Sequence, residues 1–171
     1  PFISADQEGG AVSRIVEGAA LVSGAMATAA TVPASVSAKG LSREEALARV
    51  EKLGENLGQI LRAVGVNFDL APDMDVNIEP KNPIIGARSY GDDPEQVAEK
   101  GIAMMRGMEK GGVMATIKHF PGHGNVATDS HLDVPHNTTC REELEKTEFL
   151  PFEKAIKAGA NAIMTAHVCY D

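Results

Sequence analysis

Val113-Met114-Ala115-Thr116-Ile117-Lys118-His119-Phe120-Pro121-Gly122-His123-Gly124 is the stretch whose reading decides the fold. Residues 113–117 are near-continuously apolar, as in a buried strand, and the run stops at Lys118-His119. Pro121, Gly122 and Gly124 argue against a helix beyond it, so an irregular loop leaves a strand end here. Upstream, Asp93-Pro94-Glu95-Gln96 starts a helix with Pro at its first position, and the helix runs to about Lys110 and stops at Gly111-Gly112. Before it lies a second strand, Val66 to Leu70, halted by Ala71-Pro72. Ser42-Arg43-Glu44-Glu45 is a capping box. Apolar positions 47, 50, 53, 57, 60, 61 and 64 follow it at helical spacing, with Gly65 as the left-handed stop. The first strand is Phe2 to Ala5 and leads into Asp6-Gln7-Glu8-Gly9-Gly10.

Downstream, Thr139-Cys140-Arg141-Glu142 reads as a third capping box. Its helix carries Leu144, Phe149, Phe152 and Ile156, and Pro151 kinks it or splits it in two. Ala160 to Val168 is the last strand run, ending near His167. Strand and helix alternating in this way predict an α/β fold with a parallel sheet and crossover helices. Such a sheet carries its chemistry at the C-terminal ends of its strands. Here those ends are Asp6-Gln7-Glu8, Asp73 to Asn77, Lys118-His119 and His167. Thr31 to Lys39 is expected as a surface loop.

The 171 residues fit one domain and bury a sizeable core. Sixteen Lys and Arg against 24 Asp and Glu give a net charge of −8. With no basic run, the chain is a poor partner for nucleic acid or an anionic membrane surface. Cys140 and Cys169 are too few for a disulfide scaffold. Ala19 to Ala38 is too interrupted to span a bilayer. No secretory pattern is visible, so a cytoplasmic location is expected, with a secreted or wall-associated one as the alternative. The sequence gives no oligomeric state. Both chain ends read as cuts through strands rather than natural termini.

The polar residues collect at the strand ends. The first offers two acids and a Gly pair, which alone would be an ordinary capped turn. The second opens a loop of about 20 residues without helical or strand period, a length usual for functional loops, and it holds Arg88 in a Gly-bounded turn suited to bidentate hydrogen bonding. At the third, His119, His123 and His131 fall within 13 residues, together with Lys118 and Asp129. In an extended backbone Asp129 and His131 share a side, so the carboxylate can orient the ring and stabilise its imidazolium.

Two chemical readings compete. A zinc site would use His119, His123 and His131, with His136 or Asp129, but Pro121 spoils any helical His-x-x-x-His spacing. Metal-free acid/base chemistry would instead use Lys118 and His119 as substrate clamps. The plain structural alternative is that these histidines merely hydrogen-bond the loop in place.

Asp6-Gln7-Glu8-Gly9-Gly10, Asn82-Pro83 with Gly86-x-Arg88-Ser89-Tyr90-Gly91, the Lys118 to Gly124 block and Asp129-Ser130-His131 occur in that order. Together they resemble the family 3 glycoside hydrolases, in their β-N-acetylglucosaminidase branch. The resemblance runs from Asp6 to His167. It implies a (β/α)8 TIM-type barrel. That barrel needs typically ~250 residues, and the resemblance places the four strands here as the second to fifth of eight, so residues 1–171 are read as part of the catalytic domain. The implied activity is a retaining release of terminal β-linked N-acetylglucosamine, typically from peptidoglycan fragments during wall recycling, with a small saccharide as partner and no cofactor or metal. Carried over by motif, His131 is the acid/base and Asp129 orients it, while Asp6, Arg88, Lys118 and His119 hold sugar hydroxyls. His123 shapes the loop, and His167 lines the same face. The family's usual Arg after Gly-Gly is Ala11 here, with Arg14 present. Five Phe, two Tyr and no Trp argue against an extended saccharide platform. The resemblance puts the nucleophilic Asp beyond residue 171, so these residues alone are expected to be inactive. The alternatives are a catalytically dead sugar-binding piece and a metal-dependent hydrolase built on His119, His123 and His131.

Overall fold

The computed structural model describes residues 1–18, 21–32, 42–128 and 133–170. Helix α2 (Arg43–Ala63) begins as its sequence requires. Ser42 Oγ accepts from the Glu45 amide at 3.1 Å, and the Glu45 carboxylate accepts from the Ser42 amide at 2.8 Å. Gly65 ends it in the left-handed region at φ 89°. Helix α3 (Pro94–Lys110) starts under an Asp93 side chain that accepts from the Gln96 amide at 2.9 Å. Each helix turns a stripe of small and apolar residues inward, from Ala46 to Leu61 in one and from Val97 to Met108 in the other.

Four strands form one parallel sheet: β1 (Ser4–Ala5), β2 (Phe68–Asp69), β3 (Met114–Phe120) and β5 (Ala162–Thr165), in that spatial order. Ser4 lies against Phe68, Phe68 against Met114 and Thr116 against Ala162. Sequential neighbours, all parallel and joined by helical crossovers, make a segment of a TIM-like barrel wall. A second, two-stranded parallel sheet joins β4 (His136–Asn137) to β6 (Cys169–Tyr170). No helix among the described residues is long and apolar enough to cross a membrane.

Three expectations change. Strand β3 does not stop before Lys118. It carries Lys118 and His119 within it, because the segment after β2 stays alongside: the Lys118 amide donates to Pro72 O, and its carbonyl accepts from Met74 N. The third capping box does not form at Thr139. Cys140 stands at the N-terminal cap position of the short helix α4 (Arg141–Leu144) without a side-chain cap bond, and Thr139 Oγ1 accepts from Asn125 Nδ2 at 3.1 Å. The chain does divide into two helices, but ahead of Pro151 rather than at it. Pro151 sits in the first turn of α5 (Phe149–Lys157), where a missing N–H costs nothing. The short helix α1 (Ala25–Ala29) was not foreseen. From residue 33 on, the loop expected at Thr31 to Lys39 lies outside the described residues.

The core lies between the sheet and its helices, with Leu57, Leu61, Met105, Met108, Ile117 and Phe152 fully buried. Helices α2 and α3 approach until their backbones touch. A Cβ on Gly58 would stand 2.6 Å from the Met108 carbonyl oxygen, and one on Gly111 2.5 Å from that of Glu55. In a free helix Gly→Ala is worth about 1 kcal/mol of added stability. Here overpacking reverses the sign, and Gly58→Ala is expected to destabilise by about 1–3 kcal/mol. Urea denaturation of the variant measures this, and an unchanged or raised midpoint would contradict the close packing.

Candidate active site

Beyond the C-terminal ends of the strands opens a cavity of about 550 Å³. Asp6, Glu8, Arg88, Lys118, His119 and His123 line it, with Arg14 and His167 among its further walls. The alternation of an extended chain sorts the first strand end. Gln7 turns into the scaffold: its amide donates to Asp69 Oδ1 at 2.9 Å, and its side-chain oxygen accepts from the amides of Arg14 and Ile15 at 2.6 and 3.0 Å. Asp6 and Glu8 therefore face the cavity.

Glu8 is the hub. Its side chain is 6% exposed and accepts from Arg88 Nε and Nη2 at 2.8 and 2.7 Å, and it pairs with Lys118 Nζ at 2.6 Å. Burial pushes its carboxyl up, but the Arg88 hydrogen bonds and the charges of Lys118 and Arg88 outweigh burial and hold it below the usual carboxylate range. Lys118, 2% exposed, also pairs with Asp6 Oδ1 at 3.0 Å. The bidentate geometry expected of Arg88 is present, but its fork is filled by Glu8 rather than left open to a ligand.

Behind these groups lie two buried carboxylates, Asp73 and Asp75. Asp73 Oδ1 accepts from the Asp75 amide at 2.9 Å, and Asp73 Oδ2 sits 3.5 Å from Arg88 Nη2. Asp75 accepts from the His123 amide at 2.6 Å, and its Oδ2 lies 2.6 Å from His119 Nδ1. Burial, with the neighbouring Asp75, raises Asp73 well above its ordinary value, and burial raises Asp75 to about 6. The long loop after β2 is tied to this pair: Asn82 Nδ2 donates to the His123 carbonyl at 2.7 Å, and Ser89 Oγ to that of Asp75 at 2.6 Å.

Asp6, Arg88, Lys118 and His119 thus lie together on one cavity. His123 is buried, with its ring edge-on to His119 at 6.0 Å, and His167 reaches the cavity from the end of β5. Asp129 and His131 lie outside the described residues. Among the described residues the grouping able to hold a metal is Asp73, Asp75 and His119. Its donor atoms already face Arg88 and each other. The expected trio of His119, His123 and His131 includes a residue outside the described ones. Ala11 is exposed beside a separate apolar cavity of about 440 Å³, walled by Gly9, Gly10 and the α1 residues.

Glu8 and Asp75 fall within the strand ends expected to carry chemistry, but the sequence singles out neither for a role of its own, and it gives none to Asp69. For Asp73 and Asp75 a signal existed: two acids alternating with Met74 and Val76, both fully buried, directly after a strand.

Residues 1–171 match the Glycosyl hydrolase family 3 N terminal domain. The chain belongs to glycosyl hydrolase family 3. It is 37% identical over 171 residues to β-hexosaminidase A of Pseudoalteromonas piscicida, covering 99% of this chain and 27% of that protein. With the β-hexosaminidase of Methylococcus capsulatus it shares 39% over 169 residues, covering 99% and 47%. Among solved structures it superposes on a family 3 β-N-acetylglucosaminidase from a Paenibacillus species, with a TM-score of 0.89, 41% identity and 99% and 30% coverage. It also superposes on NagZ from Neisseria gonorrhoeae in complex with N-trifluoroacetyl-D-glucosamine, with a TM-score of 0.87, 34% identity and 99% and 48% coverage. The family 3 chain therefore spans about a quarter to a half of the relatives it matches.

Asp69, at the end of β2, gives this family 3 site a pH signature. Burial raises its carboxyl to about 7, and its Oδ2 has no hydrogen-bond partner. Between about pH 4, the unfolded value, and about pH 7 the folded state holds a proton that the unfolded chain has released, so this group erodes stability as pH rises through that window. Asp69→Asn keeps an oxygen for the Gln7 amide and removes that slope. Its gain over wild type is expected to be near zero at pH 4 and to grow to about 1–4 kcal/mol by pH 8. Urea midpoints across that range test it, and a variant less stable than wild type at pH 8 would refute it.

Proposed function

We propose that the protein carrying this chain is a retaining exo-β-N-acetylglucosaminidase that releases terminal β-linked N-acetylglucosamine, with peptidoglycan-derived saccharides as its substrates. One observation carries the reading. In a family 3 chain, Asp6, Lys118, Arg88 and His119 converge at the C-terminal strand ends on a cavity of about 550 Å³, within the usual range for a small-ligand site. The β-hexosaminidase names of the curated relatives and the glucosamine derivative bound to the Neisseria gonorrhoeae neighbour support the choice of sugar.

The chemistry divides among the residues as follows. Asp6, with its side chain 39% exposed, accepts hydrogen bonds from sugar hydroxyls. Lys118 and His119 complete the hydrogen-bonding floor, and Arg88, whose Nε and Nη2 are taken by Glu8, adds its Nη1. His131, oriented by Asp129, protonates the departing glycosidic oxygen. It then takes a proton from the water that hydrolyses the glycosyl-enzyme, a part that most glycosidases give to a carboxylic acid. The nucleophile is the Asp that the family resemblance puts beyond residue 171.

Turnover of a chromogenic β-N-acetylglucosaminide by the parent protein tests this. His131→Ala is expected to lower kcat about 10²- to 10⁴-fold with KM little changed. Activity should survive a chelator, because no metal takes part in the proposed steps. Binding of N-acetylglucosamine without any hydrolysis would replace the enzyme reading with that of a binding protein. Separately, Asp6→Asn is expected to reduce kcat/KM about 10- to 100-fold, the value of a charged hydrogen bond, while leaving the fold intact by circular dichroism.

A further inference from the structure

The two ring nitrogens of His119 meet opposite chemistry. Nδ1 lies 2.6 Å from Asp75 Oδ2. Nε2 lies 3.4 Å from Arg88 Nη2, on the cavity side. An ionised carboxylate only accepts hydrogen bonds and a guanidinium only donates them. A ring placed between the two satisfies both in one form, the neutral imidazole with its proton on Nδ1 and a bare lone pair on Nε2. Asp75 cannot swing aside to relax this demand. It is fully buried, and its Oδ1 already accepts from the His123 amide at 2.6 Å and lies 3.4 Å from the His119 amide. Turning it would leave a buried N–H without a partner. Burial, helped by the charges of Arg88 and Lys118, holds the His119 ring below its ordinary pKa, in keeping with a neutral ring.

We propose that Asp75 is a positioning residue that locks His119 in the Nδ1–H tautomer, so that the Nε2 lone pair, which Arg88 approaches only to 3.4 Å, is offered to a shorter hydrogen bond from the sugar as a neutral acceptor. The inference rests on the sugar reading of the cavity and deepens it. The hydroxyl held by His119 must donate, whereas the one facing Lys118 must accept. The site then reads the hydroxyl pattern of its sugar through a fixed order of donors and acceptors. Asp75 does this without touching substrate.

The test is Asp75→Asn in the full-length parent protein. The introduced amide can keep its oxygen on the His123 N–H, which turns its NH₂ toward His119 Nδ1. Nδ1 must then accept, the ring proton moves to Nε2, and Nε2–H confronts the Arg88 N–H. Long-range ¹H–¹⁵N spectra of histidine-labelled protein at pH 7 read the tautomer, with the His119 signals assigned by their loss in His119→Gln. The expected result is an Nδ1–H pattern in wild type and an Nε2–H pattern in Asp75→Asn. The variant's kcat/KM should fall about 10- to 100-fold, as for other carboxylate-oriented imidazoles. A purely structural Asp75 would not move the tautomer.

Wild-type His119 found as Nε2–H or doubly protonated would overturn the proposal, even if the variant fails to fold. So would an Asp75→Asn protein that keeps both the Nδ1–H pattern and wild-type kcat/KM. The wild-type spectrum needs no turnover. A parent protein that showed the Nδ1–H pattern but hydrolysed nothing would therefore sink the hydrolase reading and leave the tautomer assignment standing.

Discussion

The carboxylate of Glu8 receives two hydrogen bonds from Arg88 and pairs with Lys118, and through these contacts the first, second and third strand ends hold one another in place. A lysine and a glutamate this deeply buried each lose several kcal/mol of hydration. Good geometry on both sides is what makes the arrangement tolerable. Arg88 arrives from a loop with little regular structure, so its position depends on Glu8 as much as on its own backbone. The cavity floor is in this sense a charge network first and a ligand site second. Its cations remain beneath the cavity because an internal anion holds them there.

The scaffold under that network is governed by close packing. Glycines on α2 and α3 let the helix backbones touch, while β3 continues past its apolar segment to carry Lys118 and His119 directly. Side chains on a strand are held more firmly than side chains on a loop. The register shift between Ile117 and Phe120 falls at these two residues, as irregularities near sites often do.

The helices were legible because their signals are local. The Ser42 box and Asp93-Pro94 act within three residues of themselves. The parallel sheet was legible from alternation, and the four polar strand ends followed from it. What escaped the sequence was long-range. Glu8 looks like half of a turn until Arg88, 80 positions away, fills its oxygens. Asp75 and His119 are 44 positions apart. Thr139 sits at a cap-like position, yet its hydroxyl turns to Asn125, a tertiary partner that local spacing cannot announce. Asp129 and His131, two positions apart, share a side in an extended chain and so suggest a pair from the sequence itself, but they lie outside the described residues, and their part in catalysis comes from family resemblance alone.

The Asn125–Thr139 hydrogen bond has a mechanical consequence for the end of β3. It joins the two stems of the segment that follows β3, and the Tyr170 hydroxyl donates to the Gly122 carbonyl just before the first stem. A stretch of chain clasped at its base is mechanically a cassette. Strain arising beyond Asn125 meets this clasp before it reaches the end of β3, where Lys118 and His119 stand.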